Sequence, residues 1–324
     1  MDFRLVELEH WLGAQLPSLP LTLAPASADA SFRRYFRVSL GDGRSYVAMD
    51  APPAQEDCRP FLHVAGVFAA AGVHVPAIHA QDVERGFLLL EDLGATTYLD
   101  HFAGNDPGAP YAAATEALIR IQLASRPGVL PEYDRALLER ELTLFPDWYL
   151  AKQLGRKLAP ADRQALRDAF DALLANNLAQ PRVYVHRDFH SRNLMLCDPL
   201  PGILDFQDAV HGPICYDLVS LLRDAYVQWE EARVLDWAVR YWEKARKAGL
   251  PVRADFADFY RDFEWMGAQR QLKVVGIFAR LAHRDGKARY LDDIPRVLAY
   301  LKATCGRYRE LAPLARLLDK LAAA

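Results

Sequence analysis

The feature that most constrains the fold is a stretch near the middle of the chain in which short apolar runs alternate with polar loops. Residues 183–185 are apolar, and the polar loop after them carries Asp188 and Asn193. A turn rich in proline then leads to another apolar run that ends at Asp205. This order predicts a strand, a loop and a hairpin that bring the three polar side chains to one end of a small sheet.

Two carboxylates and one amide at such a place suit phosphoryl transfer. Asp188 is expected to be the catalytic base, which accepts the proton of the attacking hydroxyl. Asn193 and Asp205 are expected to hold Mg²⁺ against the phosphates of ATP, because oxygen atoms are the ligands that this ion prefers. The alternative interpretation is a surface loop in which Asp and Asn only cap helices.

The spacing of these residues resembles a known enzyme signature. The pattern His186-x-Asp188-x-His190-x-x-Asn193, followed by Asp205 at a strand end, is similar to the catalytic segment of kinases. It resembles in particular the small-molecule branch of the protein-kinase-like fold, the aminoglycoside and choline kinase group. The resemblance implies that ATP and Mg²⁺ are the cofactors and that His186 and His190 support the site structurally.

The resemblance also implies an α+β fold with two lobes. Residues 1–93 are expected to form a nucleotide-binding lobe with a small antiparallel sheet, and residues 94–324 a mostly helical lobe with the catalytic loop and the acceptor site. Apolar alternation and turn residues predict strands at 21–24, 32–38, 46–50, 75–80 and 86–90. Apolar spacings of three and four predict helices at 3–16, 59–71, 111–123, 135–150, 161–178, 231–247, 256–281, 294–301 and 311–321.

The loop expected to cover the triphosphate departs from the kinase pattern in two ways. It lacks the glycine-rich sequence, and small residues such as Ser31 stand there instead. Backbone N–H groups and the Ser31 hydroxyl can still approach phosphate. In addition, Met49 stands where kinases carry the lysine that pairs with ATP, and no lysine precedes Lys152. A cation from elsewhere is therefore expected at the phosphates.

The dense basic cluster near the expected phosphate site consists of Arg33, Arg34 and Arg37. An arginine can hold phosphate through a bidentate pair of hydrogen bonds. On a strand, Arg33 and Arg37 lie on one face and Arg34 on the other. We expect at least one of the three to bind phosphate. The alternative is a solvated edge strand whose charges oppose aggregation.

The resemblance places the hinge between the lobes at residues 91–94. Glu91 and Leu93 are therefore expected to bind the nucleotide through backbone groups that reach adenine. Only a dozen residues separate Asp205 from Asp217, too few for the segment with which a protein kinase docks a peptide, so the acceptor should be small. Asp217 is predicted to cap the helix that it opens and to brace the catalytic loop.

Acceptor-binding residues are predicted in two segments. Gln207 and Asp208 follow Asp205 and are expected to face the same end of the small sheet, although Asp208 can equally cap a turn. Polar residues also interrupt an apolar helix expected to wall the acceptor pocket: Gln269, Arg270, Gln271 and Lys273. The alternative for this second set is an exposed face or a buried ion pair with Glu264.

Composition excludes several other classes of protein. The chain has 324 residues, of which 52% are hydrophobic and 25% charged, values typical of a soluble globular protein. A net charge of −3 argues against a general nucleic-acid binder. Neither a signal peptide nor a membrane span is expected, and scattered cysteines without a C-x-x-C pair indicate reduced thiols. A cytoplasmic protein is expected.

Five segments together resemble one family more closely. They are SADASFRRYFR at 27–37, MDAPP at 49–53, HVPAI at 74–78, ILDFQDA at 203–209 and GIFARL at 276–281. These resemble the bacterial anomeric amino-sugar kinases of peptidoglycan recycling, a resemblance that covers nearly the whole chain and accounts for the methionine at the lysine position. It implies ATP-dependent phosphorylation of the anomeric hydroxyl of N-acetylmuramic acid or N-acetylglucosamine, which gives the sugar 1-phosphate.

Two alternatives stay open at the level of sequence. The first is the same chemistry on an aminoglycoside or another small alcohol. The second, motivated by the absent lysine, is a pseudokinase that binds nucleotide and a partner without catalysis. Against it, a chain that only bound nucleotide would not need Asp188, Asn193 and Asp205 together.

Overall fold

The N-terminal lobe is built on an antiparallel sheet of five strands. The structure, a computed structural model, describes residues 2–16, 20–27 and 32–322. The strands are β1 (Leu21–Ser27), β2 (Arg34–Leu40), β3 (Ser45–Asp50), β4 (Ile78–Asp82) and β5 (Phe87–Glu91). Their order in the sheet is β1-β2-β3-β5-β4. Each lies at a predicted strand, and the α+β class is confirmed.

The two faces of this sheet pack against different helices, because side chains alternate along a strand. Helix α1 (Phe3–Gln15) covers one face, where Trp11 packs with Ala48 and Phe87. Helix α2 (Arg59–Ala70) lies on the side of the main core. Met49, next to Ala48 on β3, is fully buried in that core. Apolar packing therefore stands where the kinase pattern has a lysine.

Helices make up most of the C-terminal lobe. They are α3 (Tyr98–Phe102), α4 (Gly108–Leu123), α5 (Arg135–Leu144), α6 (Pro160–Leu178), α7 (Tyr216–Leu222), α8 (Glu231–Lys247), α9 (Phe256–Asp285), α10 (Ile294–Arg307) and α11 (Ala312–Ala322). Helix α9 runs for 30 residues and packs against α5, α6, α7 and α10. It is the central support of this lobe.

One predicted helix is wrong in part. The helix expected over 135–150 ends at Leu144, and residues Phe145–Gln153 form a π-helical segment. Pro146 has no amide N–H to donate to the preceding turn, so the regular α-helical ladder cannot continue through it. At this junction α9 comes very close: a Cβ at Gly276 would lie 2.4 Å from the carbonyl carbon of Leu144. Only glycine fits there.

Two short antiparallel pairs carry the central stretch. Strand β6 (Arg182–Val185) pairs with β9 (Val210–Pro213), and β7 (Leu194–Met195) pairs with β8 (Gly202–Ile203). The predicted strand, loop and hairpin are confirmed. All four cysteines have free thiols. None of the helices in the described part of the chain is both long and apolar enough to cross a membrane.

Candidate active site

The loop between β6 and β7 is held by the carboxylate of Asp217. This carboxylate accepts the backbone N–H of His186 at 2.6 Å and that of Arg187 at 3.0 Å. Arg187 has a φ of 78°, a left-handed conformation that is costly for a residue with a side chain. Asp217 therefore holds this loop through two hydrogen bonds, and its support of the site stays a prediction. Its predicted capping role is wrong: the N-cap of α7 is Cys215, whose side chain makes no capping bond.

His186 connects the two loops that carry the acidic residues. Its Nδ1 accepts the backbone N–H of Asp188 at 3.2 Å, which leaves the proton on Nε2. Nε2 then donates to the carbonyl of Leu204 at 3.0 Å, directly before Asp205. Burial lowers the pKa of His186 to about 4, so the ring is neutral at physiological pH. His186 thus fixes the spacing between the two acidic loops.

The three residues predicted to carry the chemistry are brought together. The amide nitrogen of Asn193 donates to the backbone carbonyl of Asp188 at 3.0 Å and lies 3.3 Å from a carboxylate oxygen of Asp205. Asp205 has a φ of 62°, and its other carboxylate oxygen accepts from Gln207 at 2.8 Å. Asp188, Asn193 and Asp205 all line a cleft of about 710 Å³ between the lobes.

A buried carboxylate beneath the catalytic loop was not predicted from the sequence. Glu141 on α5 is 4% exposed and accepts from Arg187 at 2.6 Å and from Lys273 at 3.0 Å. The Tyr133 hydroxyl also donates to Glu141. A signal was present in the sequence, because Glu141 falls on the apolar face of the predicted helix, beside Leu142 and three residues after Leu138.

These charges set the state of Asp188. Burial alone would raise the pKa of its carboxyl, but the nearby cations outweigh burial and lower the pKa to about 2. Lys273 contributes most among them, and Arg270 and Arg187 also contribute. Asp188 is therefore ionised at neutral pH and able to accept a hydrogen bond from a hydroxyl.

His190 lies at the floor of the same cleft. Its backbone N–H donates to the carbonyl of Asp188 at 3.0 Å, and its ring packs edge-on to Tyr226, with centroids 5.3 Å apart. Burial lowers the pKa of His190. His190 is thus buried beside Asp188, and its supporting role stays a prediction.

The arginine cluster divides as the alternation of a strand requires. Arg33 and Arg37 line the cleft, with Tyr35 between them. Arg37 donates to Asp92 at 2.7 Å and to the carbonyl of Gly94 at 2.8 Å, so it also ties β2 to the hinge. Arg34 lies on the opposite face, where it forms a salt bridge of 2.6 Å with the buried Asp50. Ser31 lies outside the described residues.

Glu91 and Leu93, the residues predicted at the hinge, line the cleft as well. The Glu91 carboxylate makes its contacts within the protein: it accepts the backbone N–H of Ala77 at 3.1 Å and lies 3.1 Å from Nε2 of His74. Its side chain therefore holds the end of β5 against residues 74–77. The expected contact with adenine concerns its backbone.

The predicted acceptor residues fall into two groups. Gln207, Asp208 and Arg270 line the cleft, whereas Gln271 and Lys273 are buried and are not among its lining residues. The ion pair considered between this segment and Glu264 is not formed by Lys273, which pairs with Glu141 instead. Glu264 pairs with Arg307 and accepts from the Tyr308 hydroxyl at 2.6 Å.

Replacement of Lys273 by Met should change the pH dependence of the reaction. Without this cation the pKa of Asp188 should rise, because the largest of the charges that oppose the effect of burial is lost. A wild-type carboxyl with a pKa of about 2 stays ionised throughout the working range, so its own acid limb lies below that range. In Lys273→Met, kcat/KM should begin to fall at a higher pH on the acid side, measured from about pH 4.5 to 8. A profile lower in amplitude but of unchanged shape would limit Lys273 to a structural role, with thermal melting as the control for folding.

Comparison of the sequence with known proteins shows that this chain is similar to phosphotransferases. The phosphotransferase enzyme family matches residues 22–256. The N-acetylmuramate/N-acetylglucosamine kinase of Pseudomonas aeruginosa is 53% identical over 99% of this chain and 97% of that protein. The protein of the same name from Neisseria meningitidis serogroup B is 53% identical, covering 98% and 96%. A more distant relative with that name, from Caulobacter vibrioides, is 32% identical over 84% of this chain and 85% of its own length.

Solved structures share the fold at low sequence identity. The ADP-bound aminoglycoside phosphotransferase APH(2'')-Ib superposes with a TM-score of 0.60 at 13% identity, covering 93% of this chain and 98% of that chain. An ethanolamine kinase from Plasmodium vivax gives a TM-score of 0.61 at 12% identity, covering 93% and 86%. The bilobal, protein-kinase-like architecture expected from the central motif is thereby confirmed.

Proposed function

Because this chain belongs to the phosphotransferase enzyme family, we propose that it is a kinase that transfers the γ-phosphoryl group of ATP to N-acetylmuramic acid and N-acetylglucosamine. The observation that carries the proposal is identity of 53%, over nearly the full length, to kinases named for these two sugars. The acceptor is the anomeric hydroxyl, and the product is the sugar 1-phosphate, a form suited to reuse of cell-wall sugars.

The assignment of roles follows from the geometry of the cleft. Asp188 accepts a hydrogen bond from the anomeric hydroxyl and takes its proton as the bond to phosphorus forms. A strong base is not needed, because an anomeric hydroxyl is more acidic than an ordinary alcohol. Orientation of that hydroxyl therefore supplies most of what Asp188 contributes.

The oxygen donors of Asn193 and Asp205 fit Mg²⁺, which prefers carboxylate and carbonyl ligands. The hydrogen bonds from Asn193 and Gln207 hold Asp205 in place within the cleft. When bound there with ATP, the ion neutralises charge on the phosphates. The cation that replaces the missing lysine comes from the face of the strand that lines the cleft, which carries Arg33 and Arg37, whereas Arg34 lies on the opposite face and pairs with Asp50.

Replacement of Arg33 by Met should raise the KM for ATP by about tenfold, the effect of losing one charged hydrogen bond. Initial rates over an ATP titration at saturating sugar measure this. Arg34→Met is the matched control, because Arg34 is the next residue and lies on the opposite face of the strand. If Arg34→Met raised the KM for ATP and Arg33→Met did not, the phosphate role would belong to Arg34.

An aminoglycoside is a poor acceptor for this cleft on grounds of charge. Polycationic acceptors require acidic surroundings, whereas on the side of the cleft formed by the helical lobe arginines outnumber the aspartates, which are Asp188, Asp205 and Asp208. The arginines that line it are Arg192, Arg270, Arg280, Arg284 and Arg289. Like charges disfavour binding. A neutral or anionic sugar fits this side better.

The test is release of ADP from Mg-ATP with N-acetylmuramic acid, N-acetylglucosamine, glucose, choline and an aminoglycoside as acceptors. Turnover of the two N-acetyl sugars, with phosphate on C1 by NMR of the product, is the expected result. Release with the aminoglycoside alone would overturn the proposed acceptor and keep the kinase. Binding of ATP without turnover of any acceptor would indicate a pseudokinase.

A further inference from the structure

An arginine within the catalytic loop has no part in the roles assigned above. Arg192 stands directly before Asn193 and lines the cleft. Its guanidinium carbon lies 3.8 Å from the centre of the Tyr226 ring and 6.0 Å from that of Tyr290. Tyr226 in turn packs against Phe278 with centroids 5.9 Å apart. The guanidinium of Arg192 is thus stacked on the ring of Tyr226, and both residues line the cleft.

Stacking of this kind leaves the N–H groups of the guanidinium available to a ligand. A cation over a ring face is held by the ring quadrupole, while its donors point outward at the edges of the plane. Among the described residues no carboxylate forms a salt bridge with Arg192. Asp100, an acidic residue whose carboxylate feels this charge, is already occupied by Thr97, which donates its N–H at 3.0 Å and its hydroxyl at 2.7 Å.

An anionic group of the acceptor is the partner that fits. N-acetylmuramic acid is N-acetylglucosamine with a lactyl ether at C3, which adds one carboxylate. C3 lies two ring carbons from C1, so this carboxylate projects from the part of the ring close to the reacting hydroxyl. Asp188 and Arg192 belong to one short loop, and both line the cleft.

On the basis of the proposed function, we propose that Arg192 binds the lactyl carboxylate of N-acetylmuramic acid and sets the preference for this sugar over N-acetylglucosamine. Carboxylate recognition by a bidentate guanidinium is strong and directional. N-acetylglucosamine leaves Arg192 on Tyr226 without this partner. The residue is therefore a determinant of specificity rather than of the phosphoryl transfer itself.

The other basic residues of the cleft suit this task less well. Arg284 is paired with Asp285 at 2.6 Å. Arg270 and Arg280 each have a buried Nε atom without a hydrogen-bond partner in the described part of the chain, so these two are the strongest competitors. The charge of Arg270 acts on Asp188, so its loss should lower the turnover of both sugars rather than change their ratio. Arg280 follows Arg270 by ten residues on α9, about 15 Å along the helix axis, which puts it far from the reacting hydroxyl.

The test compares Arg192→Met with wild type on both sugars at saturating ATP. We expect kcat/KM for N-acetylmuramic acid to fall by about 10- to 100-fold, the loss of a charged hydrogen-bonded pair. The fall for N-acetylglucosamine should be much smaller, so the ratio of the two values changes by about that factor. Arg280→Met is the matched comparison, because it removes the same charge from the same cleft and should leave that ratio near its wild-type value.

A measurement on the unmodified protein makes the test independent of folding of the variant. The methyl ester of N-acetylmuramic acid keeps the shape of the sugar and lacks the negative charge. Wild type should lose about as much kcat/KM with the ester as Arg192→Met loses with the acid, and the variant should treat acid and ester alike.

Three results would overturn the assignment. An equal loss on both sugars would place Arg192 in phosphoryl transfer or in the fold of the loop. If the ratio of kcat/KM for the two sugars changed in Arg280→Met but not in Arg192→Met, the lactyl carboxylate would be bound by Arg280 on α9. Equal use of acid and ester by wild type would exclude recognition of the carboxylate. Failure of wild type to phosphorylate either sugar is a different outcome, which overturns the proposed function itself.

Discussion

Replacement of Asp188 by Asn is expected to lower kcat by about 10²–10⁴-fold, the usual contribution of a general base. The amide has the shape of the carboxylate but cannot accept the proton of the attacking hydroxyl. The neighbours of Asp188 should stay in place, because Asn193 bonds to its backbone carbonyl and His186 accepts from its backbone N–H. Rates of ADP release at saturating ATP and sugar measure the effect.

Two further measurements separate a chemical effect from a structural one. The affinity for ATP should stay near the wild-type value, since the substitution leaves the metal ligands and the nucleotide side of the cleft intact. Asp319→Asn is the control for removal of an aspartate, because Asp319 is exposed and pairs with Lys302 at the surface, at 3.1 Å. Near-normal turnover by Asp188→Asn would remove this residue from the mechanism.

The catalytic segment could be predicted from sequence because its information is local. Asp188 and Asn193 lie within one loop, and Asp205 follows after one short hairpin. Hydrophobic alternation fixes where those strands end, and the polar residues must then lie at that edge. No long-range contact had to be known.

The buried network beneath the loop could not be predicted in the same way. Glu141 meets Arg187 across 46 residues of sequence and Gln269 across 128. A helical pattern shows that a residue faces inward, but it does not show which distant partner it meets there. The same limit applies to Arg192, whose role depends on its stacking on Tyr226, a residue of a different segment.

Helix α9 shows that the same limit applies to neighbouring residues of one helix. Sequence reasoning treated Arg270 and Lys273 as equivalent candidates on a wall of the acceptor pocket. They are three residues apart, so their directions around the helix differ by only about 60°, and helical spacing does not separate them. Arg270 lines the cleft, as do Val274, Ile277, Phe278, Arg280, Leu281 and Arg284. Lys273 is buried and pairs with Glu141 instead, a contact that the spacing does not show.

Met49 gives the opposite case, in which an apparent defect has a structural explanation. A lysine on β3 would need a buried acidic partner from α2, whose inward residues are apolar, with Phe61, Val64 and Phe68 buried. Burying an unpaired ammonium group is costly. The methionine fills the same space without a charge, and this substitution by itself gives no reason to infer loss of catalysis.

Loss of the Asp205 carboxylate should abolish the Mg²⁺-dependent reaction. Asp205→Ala removes a carboxylate proposed to bind the ion, and no other carboxylate among the described residues bonds to Asn193. Alanine also fits poorly at a φ of 62°, a region that asparagine tolerates better. Asp205→Asn is therefore the companion variant, since it preserves the backbone and lowers the charge by one.

The measurement is a titration of Mg²⁺ at fixed ATP for wild type and both variants, with melting temperatures recorded for each. Asp205→Ala should show no Mg²⁺-dependent rate, and Asp205→Asn should need a much higher concentration of the ion to reach a lower maximum. Gln207→Ala is informative beside them, because Gln207 donates to the Asp205 carboxylate at 2.8 Å and is not itself proposed to bind the ion. It should shift the titration less than either variant of Asp205. If all three variants followed the wild-type curve, Asp205 would not be a ligand of the ion. The ion would then have to be held by other residues.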